Sequence, residues 1–252
     1  MVEKKLNMVQ KTIDVLNYLS ACPQGASLSD ITRDLNFPKT TIHDILKTLM
    51  LNDYVQYTKP PKKNYCIGAQ AYTIGIGYLE SSSLFLTAKP YLILLADKYE
   101  KTTFLAKRHN DHVICVFKYA SLHAKAPTGN IGDQKRLHST AIGKCYLAFD
   151  SEAFSYIDTI DLPAFTPYTI TDRDKLKKHI KELRALGYSW EKQESHIKMA
   201  CLAAPIFSRN IMAGTISMTG WYREEEDFVS QGNEIAQLAK LISAQLDQQQ
   251  EG

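Results

Sequence analysis

Ser217 and Thr219 stand two apart in an apolar run, so in a strand their hydroxyls share one face and both can donate to an anion. The small residues from Ser139 to Gly143 open a helical pattern, which would leave the backbone N–H groups of Ala141 and Ile142 facing an approaching carboxylate. Cys201 begins a further strand of small residues, and Glu191 supplies an acceptor for a hydroxyl. A thiol, two hydroxyls, exposed amides and one acidic group suit a small oxygenated acid in its hydroxy or keto form. The same residues also fit a plain core: Cys201 as a small hydrophobe, Ser217 and Thr219 as ordinary strand residues, His138 as a satisfied structural histidine.

Covalent chemistry is the other use of these side chains. Cys201 or Cys145 would be the nucleophile and His138 or His196 the base, but no local cysteine-hydrolase signature surrounds either thiol. The glycine-rich stretch Pro127-Thr128-Gly129-Asn130-Ile131-Gly132 lacks the Gly-Lys-Ser/Thr ending of a nucleotide-binding loop. No catalytic residue, metal ligand or cofactor is expected. The alternative to a sensor is an enzyme or signalling module that uses the pocket around Cys201 without binding DNA.

A second set of chemistry-bearing residues lies near the start. Thr40, Asp44 and Lys47 fall on one side of a helical pattern, flanked by Lys39, Thr41 and His43, opposite the apolar stripe Ile42, Ile45, Leu46 and Leu49. Threonine bonds base edges or phosphates, lysine neutralises phosphate, histidine donates, and the helix start near Pro38 itself favours an anion. Such a face suits double-stranded DNA; the same pattern also fits a solvated face on a small helical domain or a protein–protein module.

The elements that must carry these residues follow from the pattern. Val9, Ile13, Leu16 and Leu19 predict a first helix, ended by Cys22-Pro23-Gln24-Gly25. Ser27 can cap a second helix with Leu28, Ile31 and Leu35 inside, and after the short turn Asn36-Phe37 the third begins at Pro38. Tyr54 to Tyr57, the basic turn Lys59-Pro60-Pro61-Lys62-Lys63 and Asn64 to Ile67 make a hairpin wing, whose Lys62 and Lys63 would meet phosphates. Residues 69–80 form a helix weakened by Gly75 and Gly77, and the domain boundary is expected near residue 80. Beyond it, helical patterns at about 86–100, 141–148, 172–186 and 228–247 alternate with strands at 103–107, 113–119, 201–207 and 214–219. The mixture predicts an α+β domain on a mostly antiparallel sheet. The glutamine-rich stretch Gln248 to Gln250 is expected to fray.

Composition agrees. The 252 residues carry 30 basic and 27 acidic side chains and are 44% hydrophobic, the proportions of a soluble globular protein rather than a disordered or membrane-spanning one. Residues 1–65 hold nine basic and six acidic residues, while the remainder is balanced, so the whole excess sits beside the candidate DNA face. Five cysteines, an odd number without a Cys-x-x-Cys pair, read as reduced thiols in a cytoplasmic protein.

Ser27-Leu28-Ser29-Asp30-Ile31, Pro38 to His43 and Leu46 to Leu49 resemble the winged helix of the IclR family of bacterial transcriptional regulators. Further on, Leu137-His138-Ser139-Thr140-Ala141-Ile142-Gly143-Lys144 resembles the segment where that family starts a helix beside its effector pocket. Residues 187–207 and Ser217-Met218-Thr219-Gly220 resemble its C-terminal signature. The resemblance implies a winged helix-turn-helix domain at 1–67, a helical linker at 68–82 and a GAF-like effector-binding domain at 83–252. It implies a repressor of a metabolic operon, acting as a homodimer or dimer of dimers, with a small organic or sugar acid as effector. Residues implied for the effector are Ala141, Ile142, Glu191, Cys201, Ser217 and Thr219. The chain departs from the family at Asp44, where a basic residue is usual, and around Asn64-Tyr65, which lacks an arginine. It departs again at Glu191, in place of Asp or Ser, and at Ser208, in place of Asp or Asn. An acidic Asp44 cannot bind phosphate but can accept from a cytosine amino group, which implies a different operator preference.

Overall fold

The computed structural model describes residues 7–59 and 63–249 and divides between Ser81 and Ser82 into two compact units. In the first, α1 (Asn7–Ser20), α2 (Leu28–Leu35) and α3 (Lys39–Leu51) precede β1 (Val55–Tyr57) and β2 (Tyr65–Ile67). Ser27 caps α2 reciprocally with Asp30: the Asp30 N–H donates to Ser27 Oγ at 3.2 Å, and the Ser27 N–H to Asp30 Oδ2 at 3.3 Å. Asn36 ends α2 in the left-handed region at φ 52°, which turns the chain at once into α3. Pro38 sits at the cap and α3 starts one residue later, at Lys39.

Ile31, Ile42, Ile45, Leu46, Leu49 and Val55 close this core with Val15 and Leu19 of α1. Here the sequence reading needs a correction, because Val9 and Ile13 are exposed and α1 packs through the side centred on Val15 and Leu19. β1 and β2 pair antiparallel, Val55 opposite Ile67 and Tyr57 opposite Tyr65. Lys62 lies outside the described residues. The helix α4 (Ala69–Glu80) buries no side chain.

The second unit runs α5 (Ser83–Tyr99), β3 (Thr102–His109), β4 (His112–Ala120), β5 (Gln134–Arg136), α6 (Ala141–Phe149) and α7 (Ser151–Ser155), which continues into a 3₁₀ turn. Then come α8 (Arg173–Leu186), β6 (Ser189–Lys192), β7 (Met199–Ser208), β8 (Ile211–Trp221) and α9 (Phe228–Gln249). The sequence pattern lacked β5, β6 and α7, and α9 stays helical through Gln249 where fraying was expected. All pairings in the six-stranded sheet, in the order β5-β4-β3-β8-β7-β6, are antiparallel. One core joins Phe104, Cys115, Cys201 and Ala203 of the sheet to α6, Ala153 of α7 and α8. Residues alternate across a strand, so Leu105, Leu202, Ile216 and Met218 point away from that core. The helices α5 and α9 pack together through Lys98 and Tyr99, both bonded to Glu234.

Gly143 fixes how α6 seats. A side chain there would run into the Arg136 carbonyl and Leu137 Cα, so α6 lies directly on the backbone that leads into it.

Candidate functional site

In the first unit, burial sorts α3 into two sides. Ile42, Ile45, Leu46 and Leu49 are buried; Lys39, Thr40, His43, Asp44 and Lys47 are exposed, and Thr41 is half-buried. His43 Nδ1 lies 3.5 Å from Asp44 Oδ1. Pro38 offers no capping side chain, so the first N–H groups of α3 have no helical acceptor and remain donors at the helix start. On the wing, exposed Lys63 holds its ammonium 5.3 Å from the Tyr57 ring centroid.

In the second unit, strand register assembles the polar residues. Glu191 pairs with Cys201, and Cys201 with Thr219, which sets the three side by side on β6, β7 and β8. Ser217 lies two residues on along the same face. These residues and Ile142 line a cavity of about 440 Å³, within the usual range for a small-molecule site. Ala141 lies elsewhere: it is fully buried in the core and its carbonyl accepts from Ser189 Oγ at 2.7 Å, so it leaves the cavity wall to its neighbours Thr140 and Ile142.

The helix start is partly used. Thr140 Oγ1 accepts from the Gly143 N–H at 3.1 Å and donates to the Arg136 carbonyl at 2.8 Å. Ser217 differs: it is 1% exposed and lines the cavity, and among the described residues its hydroxyl has at most the weakly accepting Cys201 sulfur as a partner. A buried hydroxyl left wholly without a partner costs about 1 to 3 kcal/mol, and a bound ligand would supply a stronger acceptor than a thiol. The Thr219 hydroxyl donates to Cys201 Sγ at 3.0 Å. Burial pushes the Cys201 thiol up to about 12, against the pull of the Thr219 and Ser217 hydroxyls, so it stays protonated. Cys145 is sealed in the core and likewise pushed up to about 12 by burial. Neither thiol has a histidine hydrogen-bonded to it among the described residues.

Glu191 is 1% exposed, and burial lifts its carboxyl to about 7 despite two hydrogen bonds that favour the charge. Its oxygens accept from the Glu194 N–H at 2.8 Å and from Ser195 Oγ at 3.0 Å. Beside it, the fully buried Lys144 of α6 pairs with Glu194, whose backbone carbonyl accepts from Thr169 Oγ1 at 2.6 Å. Burial drives Lys144 below the ordinary lysine range and Glu194 above the ordinary carboxyl range, and the pairing opposes both shifts. Ser195 and His196, in the loop these acids hold, complete that side of the cavity.

Sequence reasoning missed the opposite side: Asp133 and Lys135, with Thr128 and Gly129 of the preceding loop. A period-two alternation through residues 133–135 was the available signal, but three residues of strand are too few to show it. His138 is fully buried, bonded through Nε2 to the Pro163 carbonyl at 3.0 Å and stacked on Phe165, while its Nδ1 has no hydrogen-bond partner among the described residues. Ser208, where the chain departs from the resembled pattern, bonds Asp247 of α9 at 3.2 Å and does not line the cavity. Among the described residues, no cluster of metal-ligating side chains occurs and no helix is long and apolar enough to cross a membrane.

Comparison with known proteins matches residues 8–59 to the IclR helix-turn-helix domain and residues 76–244 to the C-terminal domain of the bacterial transcriptional regulator IclR. The HTH-type transcriptional repressor AllR of Escherichia coli K12 is 27% identical over 249 residues, covering 97% of this chain and 92% of its own length. The crystal structure of an IclR transcriptional regulator from Alicyclobacillus acidocaldarius superposes with a TM-score of 0.85 at 24% identity, over 96% of this chain and 99% of that one. An IclR homologue from Microbacterium hydrocarbonoxydans, crystallised with 4-hydroxybenzoate, gives 0.80 at 18% identity over 95% and 98%. At these identities the two structures speak for the fold.

Proposed function

Because the chain belongs to the IclR family of bacterial transcriptional regulators, DNA-binding proteins rather than enzymes, we propose that it is a cytoplasmic repressor of a metabolic operon, released or strengthened by a small organic or sugar acid. The observation that carries the reading is the division of α3 into a buried stripe and a polar face, within the segment that matches the family's DNA-binding domain. Laid in a major groove, α3 would turn Thr40, Thr41, His43 and Asp44 toward base edges, while Lys39, Lys47, Lys62 and Lys63 meet phosphates. The effector would occupy the cavity of the second unit, in contact with Ile142, Glu191, Cys201, Ser217 and Thr219. The weakly satisfied Ser217 hydroxyl supports that assignment, and the 4-hydroxybenzoate bound by a protein of the same fold is a ligand of the proposed class.

One winged helix touches few base pairs, so specificity needs two copies on half-sites about one helical turn, roughly 34 Å, apart. Exposed Tyr72 with half-buried Ile76 and Leu79 on α4 offers an apolar seam for a homodimer or dimer of dimers. Selection from random-sequence DNA by the full chain tests the whole reading. The expected product is a two-fold symmetric site whose affinity falls steeply with salt and changes when a small acid is added. Recovery of no preferred sequence, or a monomer by light scattering with and without selected DNA, would overturn it.

A further inference from the structure

Every strand of the sheet lends a residue to the cavity lining: Lys135, Cys115, Phe104, Ser217, Cys201 and Glu191 follow the strand order β5-β4-β3-β8-β7-β6, with Thr219 and Trp221 added from β8 and Met199 from β7. Neighbouring strands are about 4.8 Å apart, so the two edge strands can share a cavity only because the sheet curls around it. A cation from one edge and an acid from the other therefore face the same space.

Lys135 is built into its place. Its side chain is 26% exposed and its ammonium lies 2.9 Å from Asp133 Oδ2. That oxygen also accepts from the Asn130 N–H at 2.9 Å. Asp133 is thus shared, while the ammonium has three N–H donors and this one acceptor among the described residues. Gly129 covers the pair closely: a side chain there would meet Lys135 Nζ at 2.5 Å and Asp133 Oδ2 at 2.6 Å. Across the cavity, the Glu191 carboxyl accepts two hydrogen bonds and has lone pairs for more. Ser217, between the two, is a buried donor with no acceptor stronger than the Cys201 sulfur among the described residues.

We propose that this cavity selects a polarised small molecule, its anionic end seated on Lys135 and a hydroxyl or N–H group at its other end donating to Glu191. This rests on the reading of the cavity as the effector site and turns the ligand around. The expectation from sequence placed the acid on the amides of Ala141 and Ile142 with Ser217 and Thr219; Ala141 does not line the cavity, and the Thr219 hydroxyl already donates to Cys201 Sγ at 3.0 Å. Among the described residues Lys135 is the one lysine or arginine of the lining, with Ser217 left to donate to an oxygen along the length of the ligand.

The test is calorimetric titration of the full chain with short ω-hydroxy carboxylates, the matching unsubstituted carboxylates and the matching ω-hydroxy amides, on wild type, Lys135→Met, Lys135→Arg and Ser217→Ala. Hydroxy acids should bind best. Lys135→Met should weaken them about ten- to hundredfold, as expected for one hydrogen bond to a charged group, and leave the neutral amides unchanged. Lys135→Arg should retain the acids, which separates charge recognition from support of Asp133. If Lys135→Met weakens acids and amides alike, or leaves acids unchanged while Ser217→Ala weakens them, the orientation is wrong and the effector site stands. If wild type binds no member of the three series, the orientation falls together with the acid-binding reading of the cavity. Should Lys135→Met fail to fold, Gly129→Ala displaces the Lys135–Asp133 pair from the other side, and unchanged acid affinity there overturns the assignment equally.

Discussion

The two units handle charge in opposite ways. On α3 of the N-terminal unit, Lys39, His43, Asp44 and Lys47 are in solvent, and the ion pairs of Arg33 with Asp30 and Asp34 are exposed. In the C-terminal unit Lys144, Glu191 and Glu194 are almost wholly buried within one connected network. The first arrangement leaves charges available to a polyanion and nearly irrelevant to folding. The second makes the fold depend on charges that also shape a cavity wall.

The sharpest way to break this contrast is to cut the buried pair. Lys144→Met leaves Glu194 without its cation in a site closed to water, which should cost about 3 to 5 kcal/mol in chemical denaturation. Adding Glu194→Leu should recover much of the loss, because two apolar residues replace a pair whose desolvation cost is large. Arg33→Ala, which cuts exposed pairs, should leave the denaturation midpoint in place. Similar losses for Lys144→Met and Arg33→Ala would erase the distinction between the units.

A smaller effect concerns proton uptake. Glu191 titrates near 7 in the folded protein because burial penalises its charge, above the ordinary value of 4.5. Its raised pKa means the folded state holds the proton more tightly than the unfolded chain. That stabilisation is complete below about 4.5 and is lost as pH rises through about 7, a change of about 3 kcal/mol at most. Stability should therefore fall between pH 5 and 8, and Glu191→Gln should flatten most of that slope. Glu194, raised in the same direction, would carry what remains. An unaltered slope in Glu191→Gln would assign the titration to another group.

The same contrast explains what could be read from the residues in order. Helix α3 and its polar face follow from period and turn chemistry, since the stripe of Ile42, Ile45, Leu46 and Leu49 leaves only one way to orient the rest. Ser217 and Thr219 were legible as a pair because strand alternation sets both on one face. Lys135 and Asp133 were not, because nothing within a three-residue edge strand tells which other strands will share its cavity. Ala141 shows the limit at finer scale: the helix start was correctly placed, yet one residue along a helix turns a group by about 100°, enough to keep Ala141 off the cavity wall that Ile142 lines, though both belong to the core. Pairing of Lys144 with Glu194 joins residues far apart in sequence, and no local pattern announces it.

The smallest expected effect on the fold is where the largest effect on DNA should appear. Lys47 and Asp44 sit on the exposed side of α3, so alanine at either should leave the denaturation midpoint unchanged. On DNA the two should then separate. A lysine that neutralises one phosphate contributes to every sequence alike, so Lys47→Ala should weaken specific and non-specific binding together and flatten the salt slope by about one. An acidic side chain repels phosphate and contributes only where a base offers a donor, so Asp44→Ala should raise affinity for non-specific DNA and relax preference at one base pair of each half-site. The measurement is a salt titration of both variants on the selected site and on a scrambled duplex. If the two variants shift affinity by the same factor on both duplexes, neither residue reads a base, and sequence recognition belongs to Thr40, Thr41 and His43 or to the wing.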